Sequence, residues 1–180
     1  MFGKAGDSLR TFSLLKGMPV YDTNGDLLGE VCDIVIQDNG KVSDLLLQCK
    51  GLLSKKQKIP IENISSFGED GILLENKDIL TKYIGMPSEY TMNHDKPLIK
   101  KNALSQNGVH LGLLDDVYFM EEMGTIVGYE LTDGFFSDIT QGKRVIRTPH
   151  PPKIGKDAII VSVTKLRGGK SHDEVSELPK

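Results

Sequence analysis

Gly169-Lys170-Ser171 has the ending of a phosphate-cradling loop, in which backbone N–H groups hold phosphates and the lysine reaches their outer oxygens. Thr164 stands where that motif needs its first glycine, and no strand–helix unit frames the turn, so no nucleotide site is expected. His94, His110, His150 and His172 would offer imidazole to a metal, but none lies two or four residues from another or near a cysteine. Metal ligands must converge, and these do not. His110 follows a turn and reads as a solvated side chain. Asp115-Asp116 and Glu121-Glu122 are carboxylate doublets of the kind acid–base chemistry uses. Neighbouring strand residues point to opposite faces, so neither doublet makes a working pair. Cys32 and Cys49 sit in apolar, strand-like runs and read as buried small hydrophobes, not as a disulfide. These residues assemble no active site, and no metal or cofactor is expected.

The elements that would position them are short strands punctuated by turns. Asn24-Gly25 and Asn107-Gly108 are tight-turn signals, because such turns need positive φ. Asp38-Asn39-Gly40-Lys41 and Glu122-Met123-Gly124-Thr125 read as the next hairpin turns, and Glu69-Asp70-Gly71 and Lys156-Asp157 as the last. These signals come in pairs because the chain repeats itself. The same interval separates Asn24 from Asn107, Gly29 from Gly112 and Asp33 from Asp116. Gly51-Leu52-Leu53-Ser54 is matched by Gly134-Phe135-Phe136-Ser137, and Phe67-Gly68-Glu69-Asp70 by Ile154-Gly155-Lys156-Asp157. Ordered matches of this kind indicate a duplication.

The expected architecture is all-β: two small barrels of five or six strands each, at 13–75 and 98–164. Short strands in so few residues must curl to bury one face. A linker at 76–97 is expected to be irregular around Pro87 and Pro97, with a short helix over Asp78–Ile84. The polar tail 165–180 is expected to be mobile. In each second strand the apolar period slips: Val31 against Ile34 and Ile36, Leu114 against Val117 and Phe119. A β-bulge at Cys32-Asp33 and at Asp115-Asp116 would put all of them inside. Asp33 and Asp116 are then structural, accepting backbone N–H groups that the bulge leaves unpaired. Gly29 and Gly112 are structural too.

Two features could still bind something. Lys55, Lys56 and Lys58 match Lys143, Arg144 and Arg147 in equivalent loops. Together they would contact phosphates. The favoured reading is a solvated rim that blocks strand pairing, since Trp is absent and no aromatics interleave for base stacking. Leu52-Leu53 and Phe135-Phe136 follow strand ends, where a polar loop is usual. One member of each pair would plug its own barrel and the other would join a barrel–barrel or partner-facing patch, with Phe136 the stronger candidate. Ser137-Asp138 would cap a helical turn beside them.

The balance of 22 basic and 25 acidic residues advertises no nucleic-acid surface. No run is long enough to span a bilayer, and the N-terminal residues carry no apolar signal region, which fits a cytoplasmic protein.

Leu15-Lys16-Gly17-Met18-Pro19-Val20, Leu28-Gly29-Glu30-Val31, Asp33-Ile34-Val35-Ile36, Ile59-Pro60 and the Gly-Glu-Asp turn resemble the PRC-barrel domain, here in tandem. That domain forms the cytoplasmic part of the photosynthetic reaction-centre H subunit and half of a ribosome maturation factor. The resemblance implies docking rather than catalysis. The expectation is therefore a non-catalytic adaptor for a protein partner. The alternative is a ribosome- or RNA-associated maturation factor using the basic residues.

Overall fold

A computed structural model describes residues 8–49, 55–134, 142–148 and 150–163. Leu52, Leu53, Phe135, Phe136, the Ser137-Asp138 turn, the Gly169-Lys170-Ser171 run and the tail 165–180 lie outside the described residues.

The chain is all-β, in two curled sheets. The first is built from β2 (Pro19–Asp22), β3 (Leu27–Gln37), β4 (Val42–Cys49), β5 (Lys56–Pro60), β6 (Ile64–Phe67) and β7 (Ile72–Leu74). The second repeats it with β10 (Asn102–Ser105), β11 (His110–Met120), β12 (Ile126–Thr132), β13 (Arg144–Ile146), β14 (Lys153–Ile154) and β15 (Ala158–Val161). In both, the first strand pairs antiparallel with the long second strand and parallel with the last: β2 with β3 and β7, β10 with β11 and β15. Each repeat thus supplies six strands of its own, where five or six are expected.

The first and last turns of each repeat share their backbone hydrogen bonds. Gly25 and Gly108 take φ of 82° and 76°, and each donates its N–H back across the turn, to Asp22 and to Ser105. Gly68 donates to the Gly71 carbonyl and Gly155 to that of Ala158, both at 2.9 Å. Both bulges are present: pairing slips between Val31 and Asp33, and between Leu114 and Asp116. Val31, Ile34, Leu114 and Val117 are all buried, as the extra residue requires.

Segment 76–97 is more than a linker. Instead of a helix over Asp78–Ile84 it forms a single 3-10 turn at Lys77–Ile79 and then β8 (Thr81–Lys82), which pairs with β5. Its second strand, β9 (Glu89–Thr91), opens the second repeat yet pairs with β3 of the first. Reciprocally, β1 (Leu9–Thr11), ahead of the first repeat, pairs with β11 of the second. Equivalent residues meet equivalent residues: Leu9 faces Met120 as Glu89 faces Gln37. Each repeat thus begins with an arm that enters the other barrel.

The hairpin turns also meet. Val42 N–H donates to the Gly124 carbonyl at 2.8 Å, and Ile126 N–H to that of Gly40 at 3.3 Å. Gly40 and Gly124 are equivalent positions, so the two repeats are related by an approximate two-fold axis between these strands. One apolar cluster spans both barrels, including Phe12, Leu15 and Met92 from the arms.

Candidate functional site: the exchanged arms and the ion-paired faces

Each long strand offers one edge to two neighbours. Along β3, β2 takes Leu27–Glu30 and β9 takes Val35–Gln37. Between them lies the bulge, where the ladder is interrupted and arriving N–H groups lack carbonyl partners. Asp33 fills that gap. It is fully buried, and its carboxylate accepts from the N–H of Ile34, Met92 and Asn93 at 2.9 Å and of His94 at 3.0 Å. His94 Nδ1 lies 2.5 Å from the same group. Asp116 does the same for the other arm, accepting from Val117 at 2.8 Å, Phe12 at 3.0 Å and Ser13 at 3.1 Å. Burial pushes the Asp116 carboxyl above its ordinary range despite the bonds from Ser13 and Val117.

The sequence reading has both aspartates serving the N–H groups of their own bulge, whereas most of the N–H groups they accept come from elsewhere. Apart from their own next residues, they hold the arm of the other repeat. Behind each anchor an apolar side chain plugs the interface, Phe12 in one arm and Met92 in the other. Gly29 and Gly112 also carry structural reasons: a Cβ on Gly29 would lie 2.4 Å from the Gln48 carbonyl oxygen, and Gly112 takes φ of 131°, where a Cβ would lie 3.0 Å from the Thr132 carbonyl oxygen.

The basic clusters occupy strands β5 and β13 and their ends, not loops. Lys58 is paired with Glu89 at 3.0 Å and Asp44 at 3.4 Å. Burial alone would lower its pKa, but these carboxylates outweigh burial and hold the ammonium above its usual value. Lys143 contacts Asp115 at 2.5 Å and Glu130 at 3.0 Å, and the bonds raise its pKa. Arg144 bonds Asp133 at 2.8 Å and the Leu111 carbonyl at 2.6 Å. Lys55 and Arg147 are exposed and Lys56 is half-buried. In the first carboxylate doublet Asp116 is buried while Asp115 reaches Lys143; Glu121 and Glu122 stand in the turn after β11 rather than on a strand, Glu121 paired with Arg10 and Glu122 exposed.

Cys32 and Cys49 are free and half-buried, less enclosed than the sequence implied. Burial raises both thiol pKa values, and Cys49 Sγ donates to Gln57 Oε1 at 2.9 Å. His110 is exposed, as expected, beside Asn102. Among the described residues no group of His, Cys, Asp or Glu is arranged to hold a metal.

One groove was not legible in the sequence. It has a volume of 470 Å³ and is lined by Tyr83, Gly85, Met86, Pro87, Glu89, Asp95 and Lys96. Burial, helped by Asp95 and Glu89, pushes the Tyr83 hydroxyl up to about 12. Ile84 and Met86 project beside it, 69% and 51% exposed.

Two bulged barrels built on one turn set make this a tandem-repeat all-β protein. Residues 9–80 and 91–167 each match the PRC-barrel domain, and the chain belongs to that family. Both matches begin at or near the arms. The chain is also similar to the uncharacterized protein YrrD of Bacillus subtilis (strain 168), with 34% identity over 159 residues, 86% of this chain and 88% of the relative. Among the described residues no helix is long and apolar enough to cross a membrane.

Proposed function

We propose that this protein is a non-catalytic adaptor that docks a protein partner in the cytoplasm. The observation that carries the reading is the loop 83–88, where Ile84 and Met86 stand exposed beside the groove. Large apolar side chains clustered at a concave, charge-rimmed surface are the usual footprint of protein recognition. Asp95 and Lys96 give the rim one acidic and one basic group, which suits a partner offering an apolar side chain flanked by charge. The cysteines, free and unbridged, fit a reducing compartment. Leu53 and Phe136 stay candidates for a second contact area on the sequence argument alone. An RNA-binding reading is weakened because Lys58, Lys143 and Arg144 are already neutralised by carboxylates of this chain.

The test is differential capture from native lysate, with an Ile84→Ser, Met86→Ser variant compared against the unaltered protein and against Leu53→Ser, Phe136→Ser. The reading expects a specific partner lost with the first pair while circular dichroism stays unchanged. Identical capture by all three proteins would overturn it.

A further inference from the structure

We propose that the exchanged arm is the element by which one PRC repeat recognises another, so that the halves of this chain form a non-covalent pair and the covalent connection at 83–88 is dispensable.

The geometry is that of a two-fold dimer drawn into one chain. Each arm contributes a strand to the other barrel, with three residues in register: Leu9–Thr11 on β11 and Glu89–Thr91 on β3. After the strand, each arm turns inward on a threonine whose hydroxyl caps the next residues, Thr11 for Leu14 and Thr91 for His94. Each then delivers consecutive N–H groups to one buried carboxylate of the other repeat, Phe12 and Ser13 to Asp116, Met92 and Asn93 to Asp33. Each drops one apolar side chain into the shared core, Phe12 or Met92. Each returns to its own barrel through a positive-φ residue, Gly17 at 85° and Lys100 at 62°. Their N–H groups donate to the equivalent carbonyls of Val31 and Leu114 at 2.7 and 2.6 Å.

A set of contacts matched on both sides of an axis is an isologous interface, the kind that identical subunits form. It also explains the Asp anchors. A carboxylate at an interrupted edge rewards only an arriving strand whose next residues bring free N–H groups. The partner class is therefore a second PRC repeat carrying an extended arm that ends in Thr, an apolar residue and a small polar one.

By contrast, residues 84–88 between β8 and β9 are exposed throughout. The Met86–Glu89 turn holds that connection locally. Lys96 Nζ also donates to the Met86 and Pro87 carbonyls, a contact within the same segment.

The experiment uses the full chain. A site-specific protease sequence is inserted between Ile84 and Gly85, the intact protein is shown to be folded by circular dichroism, and it is then nicked. Size-exclusion chromatography at about 1 μM should return both fragments as one species of the original size. Repeating this with Asp116→Ala should weaken association of the nicked fragments about 10- to 100-fold. Leu14→Ser, on the same arm but 62% exposed, should leave it unchanged. Fragments that separate at 1 μM after nicking, or that hold equally well with and without Asp116, would overturn the proposal.

Discussion

The two barrels share turns, bulges and topology, yet their outer faces are built differently. In the first, Val35 and Leu46 are fully buried on the side away from the apolar core. Lys58, Asp44 and Glu89 form an ion-paired cluster across β5, β4 and β9 there. At the equivalent place in the second, Tyr118 donates its hydroxyl to Glu130 at 2.7 Å, and Lys143 joins Glu130 to Asp115. Gly128 stands where the first repeat has Asp44, with Val145 packed over it. The first repeat thus has apolar residues under charged ones, because strands of the connecting segment lie beside it. The second carries a half-buried polar ladder. A duplicated fold keeps the contacts that close it, and lets the faces follow what happens to cover them.

The arms differ in the same spirit. The first enters through the short helix α1 (Phe12–Leu15), and Asp116 serves two of its N–H groups. The second makes a longer entry, with three extra residues around Lys96, and Asp33 serves three N–H groups and an imidazole. If the anchors carry the pairing, removing Asp33 should cost more. Asp33→Ala is expected to destabilise the fold by about 3–5 kcal/mol and Asp116→Ala by about 2–3 kcal/mol, from the penalty for orphaned buried donors. Urea unfolding measures both. Equal losses would show that the asymmetry of the arms is without energetic weight.

A smaller contrast lies where the hairpin turns meet. A Cβ on Gly124, at φ of 62°, would fall 2.0 Å from the Val42 carbonyl oxygen of the other repeat. On Gly40, at φ of 74°, it would meet only the Pro151 ring, at 2.9 Å. Both substitutions carry the left-handed backbone penalty of about 1–2 kcal/mol. Gly124→Ala adds a backbone clash across the axis, for about 2–4 kcal/mol in all, against about 1–2 kcal/mol for Gly40→Ala. Melting curves that rank them the other way would place the weight of the contact elsewhere.

The least effect is in titration. Asp116 is raised by burial, while Asp22, accepting the Asp26 N–H, is lowered. As pH falls towards the acid range the folded chain protonates Asp116 before the unfolded chain does, and so gains relative stability in that window. Asp22 acts oppositely. Its contribution is present above the unfolded carboxyl pKa and is lost as pH falls through the folded one. Carboxyl NMR should find Asp116 titrating above 3.8 and Asp22 below it. The same order reversed would contradict the burial assigned to Asp116.

Turns and bulges were readable because they are local. Asn24-Gly25 and the period slip at Val31 each report on a few neighbouring residues. The partners of Asp33 were not, since a buried carboxylate looks alike in sequence whichever N–H groups it serves. A signal did exist. Thr11-Phe12-Ser13 and Thr91-Met92-Asn93 share a pattern of threonine, apolar and small polar residues, each followed by a buried leucine, Leu15 or Leu98. The extra residues at Asp95–Pro97 break the common interval and hide the match. Segment 76–97 read as irregular because its strands are two and three residues long, below the length at which periodicity shows. The groove escaped because Tyr83 and Asp95 come together only once β9 has docked.

The exchange of arms also governs the order in which the chain can mature. Synthesis delivers the first repeat before β9 exists, so its long strand must wait with an unfilled edge and an Asp33 that lacks the N–H groups of the second arm. The first arm waits equally, since its seat on β11 has not been made. The six strands of each repeat pair among themselves, but its arm site is filled only when the other repeat arrives, so the last step of each barrel depends on the other. Nascent chains released early, or stalled between the repeats, would expose a bare strand edge and an apolar Phe12, and these are the species that chaperones and proteases should meet first.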